Sequence, residues 1–142
     1  MNTLEINSLL KKYFSFVGVF SRDTLPKITC GTLIANTDPS TKPGEHWIAI
    51  TINSDKTGEY FDSFGLPPIH DEFIKYLNNN CSFGWSYNNI TLQSVTAQTC
   101  GHYCIIYATL RCRGYKHPKI MNIFTKFTFI NDKIAESIID AS

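Results

Sequence analysis

The chain lacks a strong charge of either sign: 13 Lys and Arg stand against 12 Asp and Glu, a formal net charge of +1. That balance removes any global electrostatic argument for nucleic acid, and scattered lysines such as Lys116, Lys119, Lys126 and Lys133 read as solvated surface. It lacks an apolar run long enough to span a bilayer, which predicts no membrane association. The stretch from Met1 to Glu5 has neither the basic lead nor the apolar core of a signal peptide, so an intracellular, reducing setting is expected. Repeats, low-complexity tracts and linkers are also missing. The five cysteines (Cys30, Cys81, Cys100, Cys104, Cys112) form an odd set without CxxC pairing, so free thiols are expected rather than a disulfide framework. Without secretion, the triplets at Asn80 and Asn89 carry no glycosylation meaning. What is present is ordinary: 142 residues, 43% apolar and 18% charged. This composition fits one domain over 1–142, a monomer able to bury its own core.

Periodicity and turn chemistry supply the elements. An amphipathic helix is predicted over 3–14, capped by Asn2 or Thr3, with Leu4, Leu9, Leu10 and Tyr13 or Phe14 on its face. A short strand is expected at 28–36, then a loop over 37–44. Residues 46–53 and 59–64 read as a hairpin around the turn-forming stretch Asn53 to Gly58. A helix from Asp71 to about Asn78 should bury Phe73, Ile74 and Leu77, with Asp71 and Glu72 at its start. Residues 89–95 suggest a strand. A buried helix should begin near Cys100 and stop at Gly114. Two short helices close the chain near 118–126 and 132–140, the second capped by Asn131 or Asp132.

The chemistry concentrates in a few places. In Gln93-Ser94-Val95-Thr96-Ala97-Gln98-Thr99-Cys100-Gly101, a polar loop runs into a thiol at the first turn of a helix. Unpaired N–H groups and the dipole there favour thiolate, and such placement can lower a cysteine pKa from about 8.5 to roughly 3.5–7.5. His46 opens one hairpin strand and Asp62 closes the next, centred on the predicted turn. Opposed β-carbons in such a pair lie roughly 4.5–5.5 Å apart, which suits a carboxylate orienting an imidazole. His46 would then serve as base and Cys100 as nucleophile. The Cys100 N–H and a glutamine amide would hold the oxyanion, with Gln93 favoured over Gln98. Gln98 would line the substrate groove, and Gly101 would leave room for substrate backbone beside the thiol. A zinc site from Cys100, His102, Cys104, Cys112 and His117 has no usual ligand spacing, so no metal is expected. His70, His102 and His117 read as surface or supporting residues.

The ordered motifs Gly44-Glu45-His46-Trp47, Phe61-Asp62-Ser63-Phe64-Gly65, Gln93-Ser94-Val95 and Cys100-Gly101-His102-Tyr103-Cys104 resemble those of adenain-type cysteine endopeptidases. These are the maturation proteases of adenoviruses, with relatives in other DNA viruses, virophages and virus-like transposons. Residues 13–20 also resemble that family's N-terminal segment, and ubiquitin-like-protein proteases share the order His, acid, Gln, Cys. The resemblance implies an α+β, papain-like fold, with a central nucleophile helix on a mostly antiparallel sheet. It implies His46, Asp62, Gln93 and Cys100 as catalytic residues, with Trp47 beside the site. The adenoviral members carry glutamate where this chain has Asp62. Implied substrates are viral capsid or core precursors cut at small, Gly-containing sites, in infected cells and virions. No cofactor is required. An activating peptide, bridged through Cys81, or DNA enters through resemblance alone. The rivals are a deubiquitinase or deSUMOylase, an acyltransferase with the same triad, and an inactive scaffold.

Overall fold

In a computed structural model of the chain, residues 1–42 and 46–141 are described. Gly44 and Glu45 of the first motif, and the end of the predicted 37–44 loop, lie outside them. The elements run α1 (Thr3–Leu10), β1 (Phe16–Ser21), β2 (Gly31–Asn36), β3 (Trp47–Ile52), β4 (Gly58–Phe61), α2 (Asp71–Asn80), β5 (Trp85–Tyr87), α3 (Cys100–Cys112), α4 (His117–Met121) and α5 (Thr128–Asp140).

The five strands lie side by side in chain order. The central pairs β2–β3 and β3–β4 are antiparallel, as expected, whereas the outer pairs β1–β2 and β4–β5 are parallel. Alternation along β3 explains the layering. Ile48, Ile50 and Ile52 face one side with Leu33, Ala35 and Tyr60, against Phe73 and Leu77 of α2. Ala49 faces the other side with Ile34 and Phe61, against α1, α3 and α5. Helices therefore cover both faces, which is why β3 buries five of its six residues.

Helix α3 is buried nearly all round: Tyr103, Cys104, Tyr107 and Ala108 are each at most 1% exposed. A helix apolar on every side belongs inside, and this one carries Cys100 at its first position. Its end is a Schellman cap. Gly114, at φ 94°, donates to Arg111 O, and Tyr115 N–H donates to Leu110 O.

Several expectations need correction. Helix α1 stops at Leu10, not residue 14, and its buried face is Ile6 and Leu10; Leu4 and Phe14 are exposed. Within α2, Tyr76 is buried and Ile74 only half-buried. The predicted strand at 89–95 is irregular, while short strands form instead at 85–87 and 16–21. Asn131 and Asp132 do not cap α5 but lie buried within it. Among the described residues no helix is long and apolar enough to cross a membrane.

Candidate active site

The β3–β4 ladder ends at Ala49 opposite Phe61 and centres on residue 55, so Asp62 falls two residues out of direct register with His46. Asp62 sits just past Phe61, and His46 just before Trp47, with its carbonyl still accepting the Thr37 N–H at 2.8 Å. His46 Nε2 and Asp62 Oδ1 are 2.9 Å apart. Asp62 Oδ1 also accepts the Phe64 N–H at 2.8 Å, while Gly65 N–H donates to Asp62 O at 2.8 Å, closing a tight turn. The Phe64 ring stacks on the imidazole at a centroid distance of 5.0 Å and an interplanar angle of 25°. Gly65 is required twice over: its φ is +73°, and a Cβ there would meet Ile90 C at 2.7 Å.

With Nε2 committed to Asp62, Nδ1 is the ring nitrogen left for Cys100, and the imidazole and the thiol shift each other's ionisation. Burial opposes the charged imidazolium, but the hydrogen bonds and charges of Asp62 and Cys100 outweigh it and raise His46 to about 9. Burial likewise opposes the Cys100 thiolate. Hydrogen bonds from His46 and the Trp47 N–H, the imidazolium charge and the Gly101 N–H outweigh it and hold the thiol below its ordinary value. The two shifts point the same way, to a thiolate–imidazolium pair. One turn on, burial drives Cys104 in the opposite direction, well up.

Gln93 is 1% exposed yet lines the same cleft as Cys100. The Ser63 hydroxyl donates to its Oε1 at 2.6 Å, and its Nε2 donates to Ala97 O at 2.7 Å. These two bonds fix which end of the amide is which and leave one N–H of Nε2 uncommitted. The Leu92 and Gln93 N–H groups both donate to Ser63 O, so an irregular segment, not a strand, delivers the glutamine. Gln98 is exposed on the cleft rim.

Trp47 is half-buried, and its indole donates to Met1 O at 3.3 Å. A Cβ on Gly101 would lie 3.3 Å from Trp47 Cδ1 and 3.4 Å from Met1 Cβ, so the space expected for substrate is narrowed by these two residues. The cleft as a whole encloses about 790 Å³. Cys81 lies elsewhere, buried under Gly58 in the α2-side core, and burial raises its thiol. A disulfide to a peptide there would require that core to open. Among the described residues, no three or more His, Cys, Asp or Glu side chains are grouped so as to hold a metal ion.

Sequence reasoning missed the supports. Asn88, 3% exposed, donates to Asp62 O at 2.6 Å and accepts the Asp62 N–H at 2.9 Å, clamping the backbone on both sides of the acid. Nothing in a single asparagine after a short strand signals that role.

No protein-family model matches the chain, and no curated protein sequence matches it. Solved structures do. The pS273R protease of ASFV superposes with a TM-score of 0.62 at 18% identity, covering 92% of this chain and 66% of that one. The C-terminal protease domain of Ulp1, solved in complex with Smt3, the yeast ortholog of SUMO, gives 0.51 at 15%, covering 82% and 67%. The fold is that of these proteases. The central domain of the uncharacterised Lpg1148 protein of Legionella pneumophila gives 0.52 at 14%, covering 99% and 98%. This chain thus spans about two thirds of the length of the pS273R chain and of the Ulp1 domain.

Proposed function

We propose that the chain is a cysteine endopeptidase. The observation that carries this reading is one imidazole, His46, held 2.9 Å from Asp62 at Nε2, with its ionisation and that of the Cys100 thiol stabilising each other. In the reaction, the Cys100 thiolate attacks a peptide carbonyl carbon, and the resulting oxyanion is received by the Cys100 N–H and the free N–H of Gln93. As the first residue of α3, Cys100 has an N–H without an intrahelical partner. The His46 imidazolium passes its proton to the leaving amine as the C–N bond breaks, leaving a thioester. Neutral His46 then takes a proton from water, whose oxygen attacks the thioester, and collapse releases the acid and restores the ion pair. Asp62 holds the ring throughout. Every step is carried by these side chains; an activating peptide or DNA would act as a modulator.

The substrate proposed is a protein with small, Gly-containing cleavage sites, and specifically a viral capsid or core precursor processed in the infected cell or virion. The motif resemblance supports it. A second reading, removal of a ubiquitin-like protein, draws equal support from the likeness to Ulp1, a protease crystallised with Smt3. One experiment separates them. Purified protein is incubated with precursor-derived Gly-containing peptides and with a ubiquitin-like tail bearing a thiol-reactive end. Cleavage of the former without labelling by the latter supports the first reading, and the converse supports the second. Inertness toward both, in protein whose Cys100 alkylates normally, removes the peptidase proposal.

A further inference from the structure

Three polar contacts tie the stretch from Leu92 to Thr99 to α5, a helix that plays no part in the triad. Asp132, 6% exposed on α5, accepts the Ser94 N–H at its Oδ2 at 3.4 Å. Its Oδ1 accepts the Thr99 hydroxyl at 3.4 Å and the Tyr103 hydroxyl at 2.8 Å. The neighbouring Asn131, fully buried, donates to Leu92 O at 3.1 Å and to Thr125 O at 2.8 Å, and its Oδ1 accepts the Thr125 N–H at 2.7 Å. The residues gripped are the two immediate neighbours of Gln93 and the residue immediately before Cys100. Val95, Thr96 and Gln98, between the anchor points, are exposed and add no core packing to hold the loop.

A helix needs no such pair in its interior. An aspartate and an asparagine buried side by side cost desolvation, which hydrogen bonds to the same short loop offset. We infer that Asp132, supported by Asn131, is a positioning residue that latches the Gln93 loop to α5 and so sets where the oxyanion donors stand relative to the Cys100 sulfur. This inference rests on the peptidase reading for its consequence, but the latch itself is a property of the fold. An oxyanion forms only during reaction, so loosening the latch should cost turnover while leaving substrate affinity and thiol ionisation in place. Asp132 touches none of Cys100, His46 or substrate, which distinguishes it from the triad.

The test compares wild type with Asp132→Ala, which removes both acceptor oxygens from the Ser94 N–H and from the Thr99 and Tyr103 hydroxyls. Tyr103→Phe, a milder change, removes a single hydroxyl from the same cluster and covers the case in which Asp132→Ala does not fold. Three readings are taken on each. Amide hydrogen exchange across 93–99 should quicken at least tenfold, while α2 and β3 keep their protection. On a cleavable peptide, kcat should fall about ten- to a hundredfold with KM within threefold, a fraction of the loss from deleting an oxyanion donor outright. Alkylation of Cys100 by iodoacetamide, which uses the thiolate but no oxyanion site, should keep its rate and pH midpoint. Unchanged exchange in 93–99 would overturn the latch whether or not the protein is a peptidase. Faster exchange with kcat unaltered, or a fall in alkylation matching the fall in kcat, would overturn its link to the oxyanion site. A protein that shows the exchange effect but cleaves nothing keeps the latch and loses the peptidase reading.

Discussion

Replacing His46 by alanine tests the ion pair directly. The bonds and charge that His46 supplies are among the influences holding Cys100 below its ordinary value; burial, which opposes ionisation, remains after the substitution. An unassisted thiol titrates near 8.5, so at about pH 6 roughly one molecule in 300 carries thiolate. Taking that ordinary value for the variant, full ionisation by the intact pair raises the population about 300-fold, a little over 3 kcal/mol at 1.36 kcal/mol per pH unit. Rate gains less, because nucleophilicity falls with pKa along a slope of about 0.4–0.5, leaving a ceiling near 20-fold. The assay is iodoacetamide alkylation from acid to about pH 9, with mass mapping of each cysteine. Exposed Cys30 serves as the internal comparison. Wild-type Cys100 should react up to about 20-fold faster than the variant near pH 6, and the curves should converge or cross near pH 9, where His46⁺ itself deprotonates. Overlapping profiles for the two proteins would refute the thiolate–imidazolium assignment.

Cys100→Ala should abolish peptide cleavage and leave the thermal midpoint nearly unchanged, because the side chain is only half-buried; residual wild-type turnover would move the nucleophile elsewhere. Gln93→Ala should lower kcat by about 10²–10³ with alkylation of Cys100 retained; a loss below threefold would turn attention to Gln98. Asn88→Ala leaves the buried Asp62 N–H unpaired and Asp62 O with the Gly65 N–H alone, and should cost about 1–3 kcal/mol in denaturant unfolding, with lower kcat. Full stability there would mean that water replaces the clamp freely. Gly65→Ala sets a side chain at φ +73° against the backbone of Ile90 and should both destabilise the fold and slow turnover, read by thermal unfolding and kinetics.

The parts of the site that local pattern governs could be read in the sequence. A hairpin fixes the separation of two residues by its turn length, so the approach of His46 to Asp62 followed from spacing, although the turn centre lies one residue later than the symmetric guess. The start of α3 at Cys100 and its stop at Gly114 followed from an apolar run and a helix-ending glycine. What was not legible depends on tertiary contact. β1 and β5 sit at the sheet edges and pair in parallel with the neighbouring strands β2 and β4, which needs a crossover connection that no alternation signals. Gln93 is placed by Ser63 rather than by a strand of its own, so a β-rich stretch around it misled. Asn88, Asn131 and Asp132 look like ordinary turn or cap residues, and only the fold shows them buried against the backbone that carries Asp62 and Gln93.

The most direct measurement is acid-quench mass spectrometry of the protein mixed with an activated ester of a short peptide ending in glycine. A transient increment equal to the peptide acyl group, mapped to Cys100 and lost on base treatment, is the predicted result. An acyl group carried by another cysteine, or product release with no covalent species at Cys100 in any time window, would contradict it.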